Sequence, residues 1–220
     1  MKKLAVITVA LALTACGSNP MGGVGALSGA AGTASVPGVP SAGASKSVNA
    51  GPLVAQLNEV LFNLRASQGH IFTAFGMKKE AAQADADANE FKKGNSVDTE
   101  AQTRTSQASD QISTLISKQS KLTATGKKEI SAAMPLYGSA LVRSAGLATQ
   151  LAGAAQTIST NPMSVVGGPF SAVDLIAVFT KSPDLLQKIV TQGHTLLTYA
   201  DKNKIDHVNI PGFDDAKDIK

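Results

Sequence analysis

Apolar residues recur at steps of three and four along most of the chain beyond residue 50, and this spacing constrains the fold more than any other feature. The first run of this kind consists of Leu53, Leu57, Val60, Leu64, Ile71 and Phe75. Such spacing places the apolar side chains on one face of an α-helix, which must be buried against other elements. The pattern continues to Phe91, so it predicts a first helix of about 40 residues with bends at Gly69 and Gly76.

Three further helices follow from the same reasoning. The second begins near Asn95, where Asn95 and Asp98 form a capping pair, and the third covers residues 130–158. The fourth covers residues 172–200 and is split near Ser182, because a serine cap followed by proline and aspartate is typical of a helix start. No segment alternates as a strand does. The sequence therefore predicts an all-α fold, an antiparallel four-helix bundle with the last helix split near Ser182.

The chain divides into four segments by composition. Residues 51–205 carry the helical pattern and form the predicted bundle domain, and the charged residues 206–220 form a loosely held tail. Residues 16–50 are almost entirely Gly, Ala, Ser, Pro, Val and Thr after the first position, which predicts a flexible tether. Residues 1–15 have the features of a secretory signal: two lysines, a short apolar run and small residues at the end.

The last four residues of that signal region narrow its interpretation. Leu13-Thr14-Ala15-Cys16 resembles the lipobox of bacterial lipoproteins, and every position fits. The resemblance covers residues 1 to 16 alone. It implies cleavage before Cys16, attachment of palmitate and other acyl chains to that cysteine, and a firm anchor in a membrane.

The residue after the cysteine indicates which membrane holds the anchor. In lipoproteins of enteric type an aspartate there favours the inner membrane, and this chain has Gly17, so the resemblance implies the outer membrane. We expect the domain to lie in the periplasm rather than on the cell surface. Cys16 is the only cysteine, which leaves no disulfide to form in the cell envelope and no second thiol for chemistry.

Charge and motif content exclude several functions. The chain has a net charge of +4, and loss of Lys2 and Lys3 with the signal leaves +2, too little for a nucleic-acid-binding surface. The sequence contains no nucleophile elbow, zinc-protease motif or phosphate-binding loop with its lysine. We therefore predict that the protein is not an enzyme and needs no cofactor.

Two functions remain open. The first is an interaction or structural role in the cell envelope, in which the anchored bundle docks to a protein partner. The alternative is a carrier or sensor that binds a small apolar ligand, a metal or a haem between its helices.

The candidate ligand site for the alternative rests on a repeated pattern. Gln-Gly-His occurs at His70 in the first helix and again at His194 in the last, and Tyr137 lies near the proline kink at Pro135 in the third. If those helices are neighbours, the two imidazoles could hold a metal or haem-like ligand. The other interpretation is that the repeated pattern is a coincidence, or that the two histidines only lie at a helix crossing.

The connector 161–170 is unusually apolar for a loop. Its large apolar residues are Met163, Val165, Val166 and Phe170. They either pack on the end of the bundle or contact a partner or the bilayer.

The acidic residues Asp85, Asp87 and Glu90 are spread around the first helix by their spacing. We expect them to lie on a solvated face rather than to form a metal site.

Overall fold

A computed structural model describes residues 47–94, 98–118, 121–166 and 168–207, all of which belong to one compact unit, Gly43–Lys220. The signal segment 1–15, Cys16, the tether up to residue 46 and residues 208–220 lie outside the described residues. The predictions made for those segments therefore stay predictions.

The described ranges are mostly helical, which confirms the all-α class. In chain order their elements are β1 (Val48–Asn49), α1 (Ala50–Ala74), α2 (Lys78–Lys93), α3 (Thr99–Ser117), α4 (Ala124–Ser144), α5 (Leu147–Thr160), a 3₁₀ helix (Pro162–Ser164), β2 (Val165–Val166) and α6 (Ala172–Lys202). The two short strands pair in parallel, with Val48 opposite Val165, a pairing that the sequence did not indicate.

The predicted first helix of about 40 residues is a hairpin of two helices. Gly76 has a φ of +75°, a left-handed conformation that residues with a side chain rarely adopt, and it reverses the chain between α1 and α2. Gly69 lies inside α1, and a Cβ atom there would be 3.5 Å from the Cβ of Ala84 in α2. That is an ordinary van der Waals distance, so the packing of α1 on α2 does not require glycine at this position.

The second and third predicted helices also have different bounds. Asp98 is the N-cap of α3, where its side chain accepts hydrogen bonds from the backbone N–H groups of Glu100 and Ala101, whereas Asn95 lies outside the described residues. The third predicted helix is two helices, α4 and α5, because Gly146 takes a φ of +82° and interrupts the helical backbone. Pro135 lies within α4.

The predicted split of the last helix near Ser182 is wrong, because α6 runs through Ser182 and Pro183 without interruption. Ser182 is fully buried, donates its hydroxyl to the carbonyl of Val178 and accepts a hydrogen bond from Gln102. The buried stripe also continues across the proline, from Phe179 to Leu185. Packing and these hydrogen bonds outweigh a local start signal, and proline removes only one backbone donor.

Hydrogen bonds and ion pairs between the helices show their relative directions. His70 contacts Glu129 near the start of α4 and Glu59 contacts Arg143 near its end, so α1 and α4 are antiparallel. Lys127 reaches the carbonyl of Asn203, while Tyr137, further along α4, reaches that of Ile189, so α4 and α6 are antiparallel too.

α3 and α6 run in the same direction. Gln102 pairs with Ser182, and Ser113, further along α3, pairs with Gln192, further along α6. The fully antiparallel four-helix arrangement is therefore not confirmed.

One hydrophobic core links all the helices. Its largest fully buried side chains are Phe72, Phe91, Phe179, Leu57, Leu61, Leu64, Ile71, Ile130, Met134, Leu147, Leu151 and Ile158. Within the residues that the structure describes, no helix is both long enough and apolar enough to cross a membrane.

Two buried glycines give opposite expectations for substitution by alanine. A Cβ at Gly126 would lie 2.8 Å from the backbone oxygen of Ala74, which cannot move away, so Gly126→Ala should lower the free energy of unfolding by roughly 1–3 kcal/mol. At Gly69 the close atom is a carboxylate oxygen of the exposed Asp85, which can rotate. Gly69→Ala should therefore be neutral or stabilising by up to about 1 kcal/mol, since alanine favours helix. Urea unfolding followed by circular dichroism measures both, and an equal loss in the two variants would contradict this account.

Candidate functional site

A buried cluster of charged side chains joins α1, α2 and α3. Arg65 in α1 and Asp87 in α2 are only 3% and 2% exposed, and an oxygen of Asp87 lies 2.8 Å from a terminal nitrogen of Arg65. Arg104 in α3 reaches the other oxygen of the same carboxylate at 2.7 Å. One buried carboxylate thus holds arginines from the two neighbouring helices.

Neutral side chains complete this cluster. Arg65 donates a further hydrogen bond to Gln68, whose amide in turn donates to the carbonyl of Thr105 and to the hydroxyl of Ser109. Gln83 donates to Asp87 from within α2. Because every charge in the cluster has a partner, the cost of burying it is largely compensated.

The surroundings shift the pKa values of all three charged groups. Burial alone would raise the pKa of Asp87, but hydrogen bonds from Arg104, Gln83 and Arg65 outweigh it and hold this pKa below its usual value. Burial lowers the pKa of Arg65, against the opposing effect of Asp87. The hydrogen bond to Asp87 raises the pKa of Arg104. All three groups therefore stay charged near neutral pH.

The expectation that Asp87 lies on a solvated face is wrong, although Asp85 and Glu90 are exposed as expected. Asp87 is three residues after Ala84 and four before Phe91, both on the buried stripe of α2. That spacing was visible in the sequence. What the sequence could not indicate is that Arg65 would lie opposite, since this depends on how α2 folds back on α1.

The structure places the three candidate ligand residues against different partners. Nδ1 of the half-buried His70 lies 2.8 Å from Oε2 of Glu129 in α4. His194, in α6, lines a surface cavity together with the end of α3 at Ile116. Tyr137 is buried and donates its hydroxyl to the carbonyl of Ile189 at 2.8 Å.

These contacts do not combine the three residues into one site. Burial raises the pKa of Tyr137, so its phenol stays protonated as a donor between α4 and α6. Among the described residues, no group of three or more His, Cys, Asp or Glu side chains could hold a metal ion. The ligand site at His70 and His194 stays a prediction.

The apolar connector divides into buried and exposed parts. Val165 and Phe170 are partly buried and pack against the core, while Met163 and Val166 are exposed. Packing on the end of the bundle, one of the two expected explanations, applies to Val165 and Phe170. The other two side chains remain available for a contact outside the domain.

Three surface cavities border α3. Two of about 330 Å³ lie between α3 and α6, one lined by Ser117 and His194 and the other by Ser106 and Lys188. A third of about 320 Å³ lies between α2 and α3, beside Arg104 and Gln107. The exposed face of α3 is thus flanked by concave surface on both sides.

Comparison with known proteins finds no match: no family model, no curated protein and no solved structure is similar to this chain. The site is therefore defined by its own residues alone.

Removing the central carboxylate should strongly destabilise the domain. Asp87→Asn leaves Arg65 buried without a counter-charge, so we expect the free energy of unfolding to fall by about 3–5 kcal/mol. The matched control is Glu90→Gln, which removes an exposed pair with Lys93 and should cost less than about 0.5 kcal/mol. Chemical denaturation at neutral pH gives both values. Similar small losses in the two variants would mean that the cluster does not hold the three helices together.

The same cluster predicts a pH dependence of stability. The pKa of Asp87 is lower in the folded state, so its contribution is complete above its unfolded pKa of about 3.9 and is lost as the pH falls below that value. The difference in unfolding free energy between the wild type and Asp87→Asn should therefore shrink as the pH falls from about 5 to about 2. Denaturation across this pH series tests the expectation, and a constant difference would contradict it.

Proposed function

We propose that the protein is a lipid-anchored component of the bacterial cell envelope, whose helical domain has an interaction or structural role. The lipobox Leu13–Cys16 supports the anchor, and Gly17 supports the outer membrane with the domain on its periplasmic face. We further infer that α1, α3, α4 and α6 form a central four-helix bundle, with α2 packed on α1 and α5 on α6. The contacts of α1 with α3 and α4, and those of α6 with the same two helices, support this arrangement.

The observation that carries the interaction role is the exposed polar face of α3, which has concave surface on both sides. α3 presents mainly serine, threonine and glutamine outwards. On its inner side, hydrogen bonds to Gln68 and Ser182 add to the packing of apolar side chains such as Ile112. Such a face offers donors and acceptors to a protein partner, and the buried cluster at Asp87 keeps it rigid. A tether at Cys16 raises the local concentration of the domain near other envelope components.

The alternative, a carrier or sensor of a small ligand, has one supporting observation. The cavity beside His194 also includes Tyr199 and Lys202, so aromatic, imidazole and ammonium groups surround one space of about 330 Å³. That volume is at the lower end of the range for small-molecule sites.

A photo-crosslinking experiment in the native envelope tests the interaction role. A photoreactive amino acid in place of Gln107, which lines a cavity beside α3, should crosslink the domain to one and the same identifiable protein in every repeat of the experiment. The matched control replaces Gln156, exposed on α5, and should not give that adduct. In a Cys16→Ala background the adduct should decline at least about tenfold, because the anchor no longer concentrates the domain at the membrane.

Two outcomes would contradict the proposal. Equal adducts from both positions would mean that the α3 face has no special role. No adduct, together with a small molecule that copurifies with the wild type and is lost in His194→Ala, would favour the carrier function instead.

A further inference from the structure

Charged residues are absent from two long segments of the described domain. Residues 47–58 and residues 144–173 contain no Lys, Arg, Asp, Glu or His. Charged residues make up 16% of the whole chain, so a stretch of this length without any is a marked local deviation.

The structure brings parts of these two segments together. β1, which directly precedes α1, pairs with β2 in the connector between α5 and α6, with Asn49 opposite Val166. α1 and α6 are both antiparallel to α4, so both helices begin at this end of the domain. We call the surface formed by residues 47–58, 161–166 and 168–173 the uncharged end.

Exposed apolar side chains are concentrated on the uncharged end. Met163 is 89% exposed, Val173 is 75% exposed and Val166 is 46% exposed. These three belong to one connector and the first turn of the helix that follows it. Exposed apolar groups within one short stretch of chain indicate a contact surface more strongly than scattered ones do. The exposed Asp174, which directly follows Val173, marks the border of this stretch.

The chain enters the domain at this same end. Ser47 directly precedes β1, and residues 17–46 connect it to Cys16. Even fully extended, that segment spans at most roughly 110 Å, so a lipid on Cys16 would keep the domain beside the bilayer. Lys46 is the only charged residue between Cys16 and Glu59.

The opposite end of the domain is rich in lysine. It consists of the α1–α2 turn, the α3–α4 connection and the end of α6. Its lysines are Lys78, Lys79, Lys118, Lys121, Lys127, Lys128, Lys202 and Lys204. Strongly hydrated ammonium groups at this density favour water, so the domain has one end suited to an apolar boundary and one suited to solvent.

We propose that the uncharged end rests on the lipid bilayer, with Met163, Val166 and Val173 inserted at the boundary between headgroups and acyl chains. This proposal rests on the anchoring at Cys16 proposed above. Shallow insertion of three apolar side chains is too weak to hold a protein on a bilayer without a second attachment, which the lipid supplies. The α3 face then remains open to a partner beside the membrane.

Tryptophan fluorescence gives a direct test, since the chain contains no tryptophan. The probe is V166W, and the matched control is V190W, because Val190 in α6 has nearly the same exposure at 45%. The full chain is purified with its lipid on Cys16, confirmed by mass spectrometry, and reconstituted into phosphatidylcholine vesicles with or without bromine near the top of the acyl chains. M163W is a second probe outside the strand pairing, in case V166W disturbs the fold.

The expected result is that brominated lipid lowers the emission of V166W and M163W at least about twofold, because interfacial side chains insert about 5–10 Å into that layer. The emission of V190W should be unaffected. Equal quenching of probe and control would overturn the proposal. Shielding of V166W and M163W from aqueous acrylamide, without quenching by brominated lipid, would also overturn it and would indicate a second copy of the chain as the occupant.

If the anchoring proposal is wrong, the experiment shows this separately from the test of the uncharged end. If mass spectrometry finds no lipid on Cys16, the anchoring proposal fails before any vesicle is used. The same tryptophan variants are then attached to vesicles through a maleimide lipid at the Cys16 thiol, the only one in the chain, and the same quenching comparison decides whether the uncharged end binds the bilayer.

Discussion

The carboxylate of Asp87 is the interaction on which the arrangement of the first three helices depends. It binds Arg65 and Arg104 at once, and all three come from different helices. A buried charge without a partner costs several kcal/mol, so an alternative packing that separated these groups would be strongly disfavoured. The cluster therefore selects the direction in which α2 folds back on α1 and the position of α3 beside both.

The domain combines apolar packing and polar contacts in different proportions. α1 and α4 pack through large buried side chains such as Leu64 and Ile130. α3 also buries apolar side chains in the core, and hydrogen bonds that involve Gln68, Gln102 and Gln192 add to this packing. Polar contacts depend on geometry more than apolar ones do, so they hold α3 in one register. This places a rigid polar face on one side of the domain, at an angle to the uncharged end.

The two proposed surfaces contribute to the same function in different ways. An uncharged end beside the anchor would orient the domain, and the α3 face would meet a partner from that orientation. Part of the orientational freedom that binding removes would then already be lost before the partner arrives, which lowers the free-energy cost of binding.

The sequence by itself determined which segments are helical and which side chains are buried, because apolar spacing reports burial directly; Leu57, Ile71 and Leu196 are buried as that spacing predicts. It also shows where charges are missing. Only the tertiary structure decided that Gly76 reverses the chain, that α6 continues through Pro183, and that Asp87 faces Arg65. The reason is physical: a local signal states the preference of a few residues, whereas helix ends and buried ion pairs depend on groups that are distant in the chain and meet only in the folded state.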